Sequence, residues 1–186
     1  NFIPFIVVLF LIYRYHLPTD EGESYIRDIN VWRFNRLDIL NITVLTLTTK
    51  TLLTIVNAIY VQILSRLLER EIQLQEIVTD FYESSSFVKF VLFFVIVIFA
   101  PIVEEYVFRY YLYDKLFLAR MPRVFAACLS AAIFTIAHYN LSGIPSFFGL
   151  ALFCTRMYEK KGYFAAVTAH MVFNLGTVVL LMFVEI

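Results

Sequence analysis

The chain contains 186 residues, of which 61% are hydrophobic and 16% are charged. Soluble domains contain about 45 to 50% apolar and about 25% charged residues, so this composition predicts a polytopic membrane protein. The 15 basic and 15 acidic residues cancel, which excludes the strongly basic surface of a nucleic-acid-binding protein. The length suffices for one helical membrane domain, residues 1–186, and for no second domain.

Both cysteines, Cys128 and Cys154, lie inside apolar runs. Free cysteine behaves as a small hydrophobic residue, so this placement predicts two buried thiols rather than a disulfide framework.

The first apolar run, Phe2–Tyr13, is shorter than the roughly 20 residues that a helix needs to cross a bilayer. The chain begins at Asn1, already inside this run, which indicates a truncated first span from which no cleavable signal peptide can be read. A polar connection follows, Arg14–Asp38, whose Trp32 and neighbouring arginines suit a membrane interface.

The second predicted span, Ile39–Leu64, is rich in threonine and carries Lys50 near its middle. Threonine hydroxyls can bond to a carbonyl in the preceding turn, whereas a lysine at this depth has to snorkel, face a wet cavity or find a carboxylate. Snorkelling or a structural pairing is favoured over a role in substrate binding. The alternation of leucine and isoleucine with charges in Ser65–Ser86 predicts that the helix continues beyond the bilayer.

The third predicted span, Phe87–Leu118, is the longest, and it is interrupted by Pro101 and by charged residues. Because proline lacks an N–H and its ring clashes with the previous turn, we expect a kink near Phe99 or a helix that restarts at Pro101. Three further spans are predicted: Val124–Tyr139, Ile144–Thr155 and Tyr163–Val184. The second of these is too short to cross unaided, so we expect it to extend to about Tyr158 or to be partly re-entrant. The sequence therefore predicts an all-α membrane bundle with about six transmembrane helices.

Lysine and arginine are concentrated in three of the predicted loops, residues 14–38, 114–123 and 156–162. Basic residues favour the cytoplasmic side of a membrane. We therefore predict a multi-pass protein of a bacterial plasma membrane with these three loops in the cytoplasm. The acidic 65–86 segment and the C-terminus would then lie outside.

Charged residues interrupt the third span directly after Pro101. Glu105 and Arg109 are four residues apart, so they share one face of the helix and can pair. Glu104 points about 100 degrees away from Glu105, which leaves it free to serve a different partner. Charges inside a spanning helix are costly, and the cluster is a candidate functional site for that reason.

Two other spans carry histidine. His138 follows Phe134 by four residues, and His170 precedes Asn174 by four. Each polar side chain must face protein or water rather than lipid, so the simplest packing brings them to one wet cavity with the glutamates. Counting from the predicted cytoplasmic ends places His170 about 10 Å deep and His138 about 20 Å deep, so a tilt or an earlier start of the fourth helix has to close that gap.

These groups together predict hydrolysis. A carboxylate and an imidazole can hold and deprotonate a water, while a second imidazole and an amide NH₂ donate to the oxyanion of a tetrahedral intermediate. A metal version is the alternative, because Glu104, His138 and His170 match a three-ligand catalytic zinc set with one open position. The His-Glu-x-x-His signature of common zinc peptidases is absent, and the residues alone leave both versions open.

The motifs resemble the CAAX-protease and bacteriocin-processing family of intramembrane proteases, which includes type II CAAX prenyl endopeptidases and bacterial abortive-infection proteins. The family pattern is Glu-Glu-x-x-x-Arg, then Phe-x-x-x-His, then His-x-x-x-Asn on successive membrane helices. In this chain the pattern stands as Glu104-Glu105 with Arg109, Phe134 with His138, and His170 with Asn174. The resemblance covers about residues 87–184, the predicted core of the domain.

The resemblance implies a division of roles among these residues. Glu104 and His138 would activate the water, and His170 with Asn174 would form the oxyanion site. The remaining motif residues would support the site: Glu105, Arg109 and Phe134. No cofactor is required in the preferred interpretation, and zinc is the alternative.

Two other classes of function compete with an intramembrane endopeptidase acting on a peptide or protein substrate. The first is a non-proteolytic scaffold or regulator that keeps the fold and binds a membrane-protein partner. The second is a small transporter that uses Lys50 and the glutamates as a proton path, although the chain lacks the internal repeat of many transporters.

Overall fold

The computed structural model describes residues 31, 32, 36, 38–69 and 84–183, with side chains as far as residue 180. These residues form helices and contain no strand, which confirms the all-α prediction. The helices are α1 (Asp38–Leu68), α2 (Ser86–Phe117), α3 (Arg123–Ala137), α4 (Ile144–Lys161) and α5 (Tyr163–Phe183). A single 3₁₀ turn, Leu141–Gly143, connects α3 to α4.

Three of these helices, α1, α2 and α5, are long and apolar enough to cross a membrane. Helix α3 is apolar but shorter, with 15 residues, and at 1.5 Å per residue it falls short of a bilayer core of about 30 Å. Large apolar side chains stand exposed along the outer faces of the bundle, as a lipid environment requires: Leu40, Val44, Leu52, Phe90, Phe99 and Phe125 among them. The protein is an integral membrane protein.

Several predicted elements fall outside the described residues. These are the first span and most of the polar connection that follows it, together with most of the acidic 65–86 segment. The second predicted span is confirmed as α1, whose helix extends four residues past the predicted end at Leu64.

Helix α2 continues through Pro101 without the predicted break. All residues from Phe94 to Tyr106 are helical. Two stretches of α2, Val95–Phe99 and Tyr106–Phe117, are π-helical. The helix therefore does not end at the proline. Instead, its hydrogen bonds change from the π-helical to the α-helical pattern at Ala100, the residue before Pro101.

The two cysteines differ in exposure, so the prediction of two buried thiols is correct for Cys154 and wrong for Cys128. Cys128 is exposed on α3, whereas Cys154 is buried on α4, and both are free. An apolar run in a membrane helix includes a lipid-facing side as well as a core-facing side, and composition does not separate them.

The chain before α1, the α2–α3 loop and the α4–α5 loop meet at one end of the bundle. Lys161 forms an ion pair with Asp38 at 2.6 Å, and Arg123 forms one with Glu159 at 3.2 Å. This agrees with the prediction that the three basic loops share one side of the membrane. The assignment of that side to the cytoplasm stays a prediction.

The core lies where α2, α3, α4 and α5 pack together. Small residues on α5, Ala166 and Ala169, are fully buried and let neighbouring backbones approach closely, as is common between membrane helices. The Ser130 hydroxyl on α3 donates to the Phe108 carbonyl on α2 at 2.9 Å. These contacts hold the charged segment of α2 against the two histidine-bearing helices.

Candidate active site

The two glutamates of the charged cluster lie at the end of the short α-helical segment of α2, Ala100–Glu105, between its two π-helical turns. Glu105 is completely buried, and Glu104 is 8% exposed. Both carboxylates therefore need partners inside the protein, since an unpaired charge at this depth is strongly unfavourable.

Glu105 and Arg109 form the predicted pair. The Arg109 Nε lies 3.0 Å from Glu105 Oε2, and both side chains are buried. The same guanidinium donates from Nη2 to the Ala151 carbonyl on α4 at 3.1 Å, and its central carbon lies 4.7 Å from the centre of the Phe134 ring on α3. One arginine of α2 thus contacts two other helices, with its charge balanced by the glutamate one turn away.

Both glutamates contact one histidine, His170 on α5. Its Nδ1 lies 2.7 Å from Glu105 Oε1, and its Nε2 lies 3.6 Å from Glu104 Oε2. A carboxylate so close to Arg109 can only accept, so Nδ1 carries the hydrogen of the first contact. Glu104 thus meets a residue other than Arg109, in line with the prediction, although both carboxylates contact the imidazole of His170, each at a different nitrogen.

His138 lies at the C-terminal end of α3, and its Nδ1 is 2.8 Å from the Phe134 carbonyl. Because a carbonyl accepts, Nδ1 is the protonated nitrogen and Nε2 keeps its lone pair. The ring is half-buried and stacks on Phe147 at 4.2 Å. Gly143 makes room for that stack, since a Cβ at this position would come within 2.4 Å of the Phe147 ring.

The Phe134 ring lies between the two histidines. Its centre is 4.5 Å from that of His138 and 5.9 Å from that of His170. Helix α3 begins at Arg123, one residue before the predicted start. The predicted difference in depth therefore does not separate the two imidazoles, because α3 and α5 both pack against α4 and bring them to the same aromatic ring.

Asn174 is joined to α2 rather than to the histidines. Its Nδ2 donates to the Ile96 carbonyl at 2.9 Å. In the preceding π-helical turn the Ala100 N–H bonds to the Val95 carbonyl, five residues back. The next bond in that register would run from residue 101 to Ile96, and Pro101 has no N–H to make it. The asparagine thus satisfies a carbonyl that the proline leaves without its helical donor.

The sequence model of a protein family, described as type II CAAX prenyl endopeptidase Rce1-like, matches residues 86–176. This range contains all of the residues described above, from the π-helical turn before Pro101 to Asn174. Residues 86–176 of the chain belong to the Rce1-like family. No curated protein and no solved structure matches the chain.

Two of the three predicted zinc ligands, Glu104 and His170, are adjacent, with His170 Nε2 3.6 Å from Glu104 Oε2. In the part of the chain that the structure describes, the group whose ligand atoms lie within 4.8 Å of one another is Glu105, Cys154 and His170, not Glu104, His138 and His170. Glu105 is already balanced by Arg109 at 3.0 Å, and a divalent cation beside it would face that guanidinium. As they stand, these residues do not form the predicted zinc site.

Helix α4 contributes to the Rce1-like site although sequence analysis assigned it no site residue. The Ala151 carbonyl receives Arg109, Cys154 lies beside Glu105 and His170, and Phe147 stacks on His138. None of these residues is a charged or strongly polar side chain, which is the feature that marks a candidate site in an apolar helix. Backbone carbonyls and aromatic contacts of this kind depend on how helices pack, which local spacing does not report.

Glu105 and Glu104 are predicted to differ in their effect on stability. Glu105→Gln removes the charge that balances buried Arg109 and is expected to lower the free energy of unfolding by about 3 to 5 kcal/mol. Glu104→Gln is expected to change it by less than about 1 kcal/mol, because its carboxylate has no hydrogen bond in the described contacts. Unfolding in mixed detergent micelles measures both, and equal losses would contradict this difference.

The link between Asn174 and Ile96 can be tested with a double-mutant cycle. Asn174→Leu leaves the Ile96 carbonyl without its donor and is expected to cost about 1 to 3 kcal/mol of unfolding free energy. In a Pro101→Ala background the new N–H at residue 101 can take that carbonyl, so the cost of Asn174→Leu is expected to fall by more than half. Additive losses in the two single variants and the double variant would contradict the register described above.

Proposed function

We propose that this chain is an intramembrane endopeptidase that hydrolyses a peptide bond with a water activated by Glu104 and His138. Membership of a family of type II CAAX prenyl endopeptidases makes peptide hydrolysis the expected reaction class. The proposal rests on one observation: two adjacent buried carboxylates differ in how closely other side chains contact them. Glu105 is held by Arg109 and by His170, whereas Glu104 is 3.6 Å from its nearest ion-pair partner among the described residues.

Glu104 is the group best suited to accept a proton from water. It is slightly exposed, while Glu105 is not. Arg109 and His170 make their close contacts with Glu105, so the oxygens of Glu104 are available to a water. The lone pair on His138 Nε2 provides a second acceptor, because the Phe134 carbonyl fixes the hydrogen on Nδ1. In this proposal the carboxylate and the imidazole hold the water between them, and Glu104 takes its proton as the oxygen attacks.

His170 and Asn174 are proposed to stabilise the oxyanion. His170 Nδ1 already contacts Glu105 Oε1, so this role requires a hydrogen on Nε2 as well. The hydrogen on Nε2 is then available for the developing oxyanion. The Asn174 amide has two hydrogens, of which one is bound by the Ile96 carbonyl, and the second is the proposed donor.

The proposed reaction is a complete hydrolysis. The water oxygen bonds to the carbonyl carbon of the substrate, and its first proton passes to Glu104. When the C–N bond breaks, Glu104 returns that proton to the leaving nitrogen, and the products are a carboxylic acid and an amine. No side chain of the protein becomes covalently attached to the substrate.

The proposed substrate is a peptide or protein chain that reaches the site within the bilayer. The description of the family points to a prenylated C-terminal segment. A bacteriocin leader and a signalling peptide are the other substrates that the resemblance suggests. A prenyl group would lie in lipid beside the exposed apolar faces of the helices, which keeps the attached peptide at the depth of the glutamates.

The role of Glu104 predicts the effect of one isosteric substitution. Glu104→Gln is expected to lower the rate of cleavage of a prenylated peptide by about 10² to 10⁴, the usual contribution of general acid–base catalysis. Mass spectrometry of the released fragment in proteoliposomes measures the rate. The control is Asp38→Asn, which removes a carboxylate at the end of the bundle that is far from the proposed water. Wild-type activity in a folded Glu104→Gln protein would reject the proposal.

Metal use is tested separately. In the proposed mechanism the water is polarised by Glu104 and His138 alone, so cleavage is expected to keep its rate after dialysis against a strong zinc chelator. Elemental analysis of the same dialysed sample establishes that zinc is well below one equivalent. A loss of activity that returns on adding zinc would overturn the metal-free mechanism and would leave peptide hydrolysis as the reaction.

A further inference from the structure

A cluster of charged side chains lies at the end of the bundle where α3 begins and α4 ends, and none of them takes part in the proposed hydrolysis. Glu159 on α4 pairs with two arginines, one at each carboxylate oxygen: Arg123 Nε lies 3.2 Å from Oε1, and Arg156 Nη1 lies 3.2 Å from Oε2. The hydroxyl of Tyr113 on α2, a completely buried residue, donates to Oε1 as well. The tyrosine therefore fixes the carboxylate, and the carboxylate fixes two guanidinium groups.

Both guanidinium groups keep most of their hydrogen-bond donors. The side chains of Arg123 and Arg156 are 61% and 56% exposed. A guanidinium has five N–H donors in a planar fork that fits a phosphate group, and the contact with Glu159 occupies one nitrogen of each arginine. The remaining donors are available to a phosphate without loss of either ion pair.

The charges of this cluster do not cancel. One arginine would balance the carboxylate of Glu159, so the second leaves these three groups with one net positive charge. Ion pairs between exposed side chains add little to stability, so closing this end of the bundle does not require the second arginine. Two further exposed basic side chains, Arg120 and Lys160, lie at the same end. The ligand that suits this end of the bundle is therefore an anion.

The helix faces beneath the two arginines are apolar and only partly covered. Ala127 follows Arg123 by one helical turn, and Leu152 precedes Arg156 by one turn, so each lies on the same face as its arginine. Phe148 lies a further turn along α4, and all three apolar side chains are half-buried. Since α3 and α4 pack together and both arginines reach one carboxylate, these faces converge on a single seam between the two helices.

A phospholipid combines a phosphate at the membrane surface with hydrocarbon inside the bilayer, and basic pockets between membrane helices bind anionic headgroups. We propose that Arg123 and Arg156 bind the phosphate of an anionic phospholipid whose acyl chain lies along the seam between α3 and α4. The net positive charge selects a headgroup that is anionic as a whole, because the ammonium of a choline headgroup would face the arginines. This inference does not depend on the proposed peptidase function, since it involves none of the residues assigned to the water or to the oxyanion.

The test offers the purified protein equal amounts of phosphatidylglycerol and phosphatidylcholine with identical acyl chains in mixed micelles, and native mass spectrometry counts the lipids that stay bound. Wild-type protein is expected to retain phosphatidylglycerol about 10- to 30-fold more than phosphatidylcholine, the usual effect of two basic residues at a membrane surface. Arg123→Gln/Arg156→Gln is expected to lose this preference. The control is Arg66→Gln/Lys89→Gln, which removes two positive charges at the other end of the bundle, near the end of α1 and the start of α2, and it is expected to keep the preference.

Three results would overturn the proposal. The first is equal retention of the two lipids by wild-type protein, which needs no variant. The second is an equal loss of preference in the control, because the effect would then come from total charge. The third is displacement of the bound phosphatidylglycerol by an excess of water-soluble glycerol phosphate, which would show that the site takes a free phosphate and does not use the apolar seam. Retention of the lipid in that competition supports the proposal.

A single substitution protects the test against a loss of folding. In Arg156→Gln the carboxylate of Glu159 keeps Arg123 and Tyr113 as partners, so this variant is expected to melt at the wild-type temperature. Its preference for phosphatidylglycerol is expected to fall about fivefold, the effect of one basic residue at the surface. A folded Arg156→Gln protein with the full wild-type preference would contradict the proposal.

Discussion

The buried carboxylate of Glu105 is the interaction on which the site depends. It contacts Arg109 on its own helix and His170 on α5, and Arg109 in turn contacts the Ala151 carbonyl on α4 and the Phe134 ring on α3. One ionised group thus organises contacts among four helices. In a low-dielectric interior a buried charge is tolerated only when an opposite charge balances it, as Arg109 balances Glu105 here. The network therefore requires these four helices to meet at Glu105.

The irregular backbone of α2 is the second constraint. The α-helical segment that carries the glutamates lies between two π-helical turns, and such turns often mark functional positions. Pro101 removes the donor that this register would have supplied to the Ile96 carbonyl, and Asn174 replaces it from α5. The proline therefore couples the shape of α2 to the position of a side chain on another helix, and it does so without breaking the helix.

Helix α5 presents polar side chains to two other helices. His170 lies at the glutamates of α2, and Thr177 lies at Lys50 of α1. The first position belongs to the proposed catalytic cluster, whereas the second joins α5 to α1 through a hydrogen bond from a buried lysine.

The sequence by itself determined the all-α membrane class, the positions of most spans and the pairing of Glu105 with Arg109. These follow from composition and from the 3.6-residue period, which are local properties of the chain. The sequence also predicted that His138, His170 and the glutamates lie at one site, because polar side chains in apolar helices must avoid lipid.

The tertiary structure alone decided which group each of them meets. Both glutamates contact His170, Asn174 reaches Ile96, Lys50 is enclosed by α5, and Cys128 faces outward. The physical reason is that an apolar helix has no sequence feature that distinguishes its lipid-facing side from its protein-facing side. That choice, and with it every contact between helices, is made only when the helices pack.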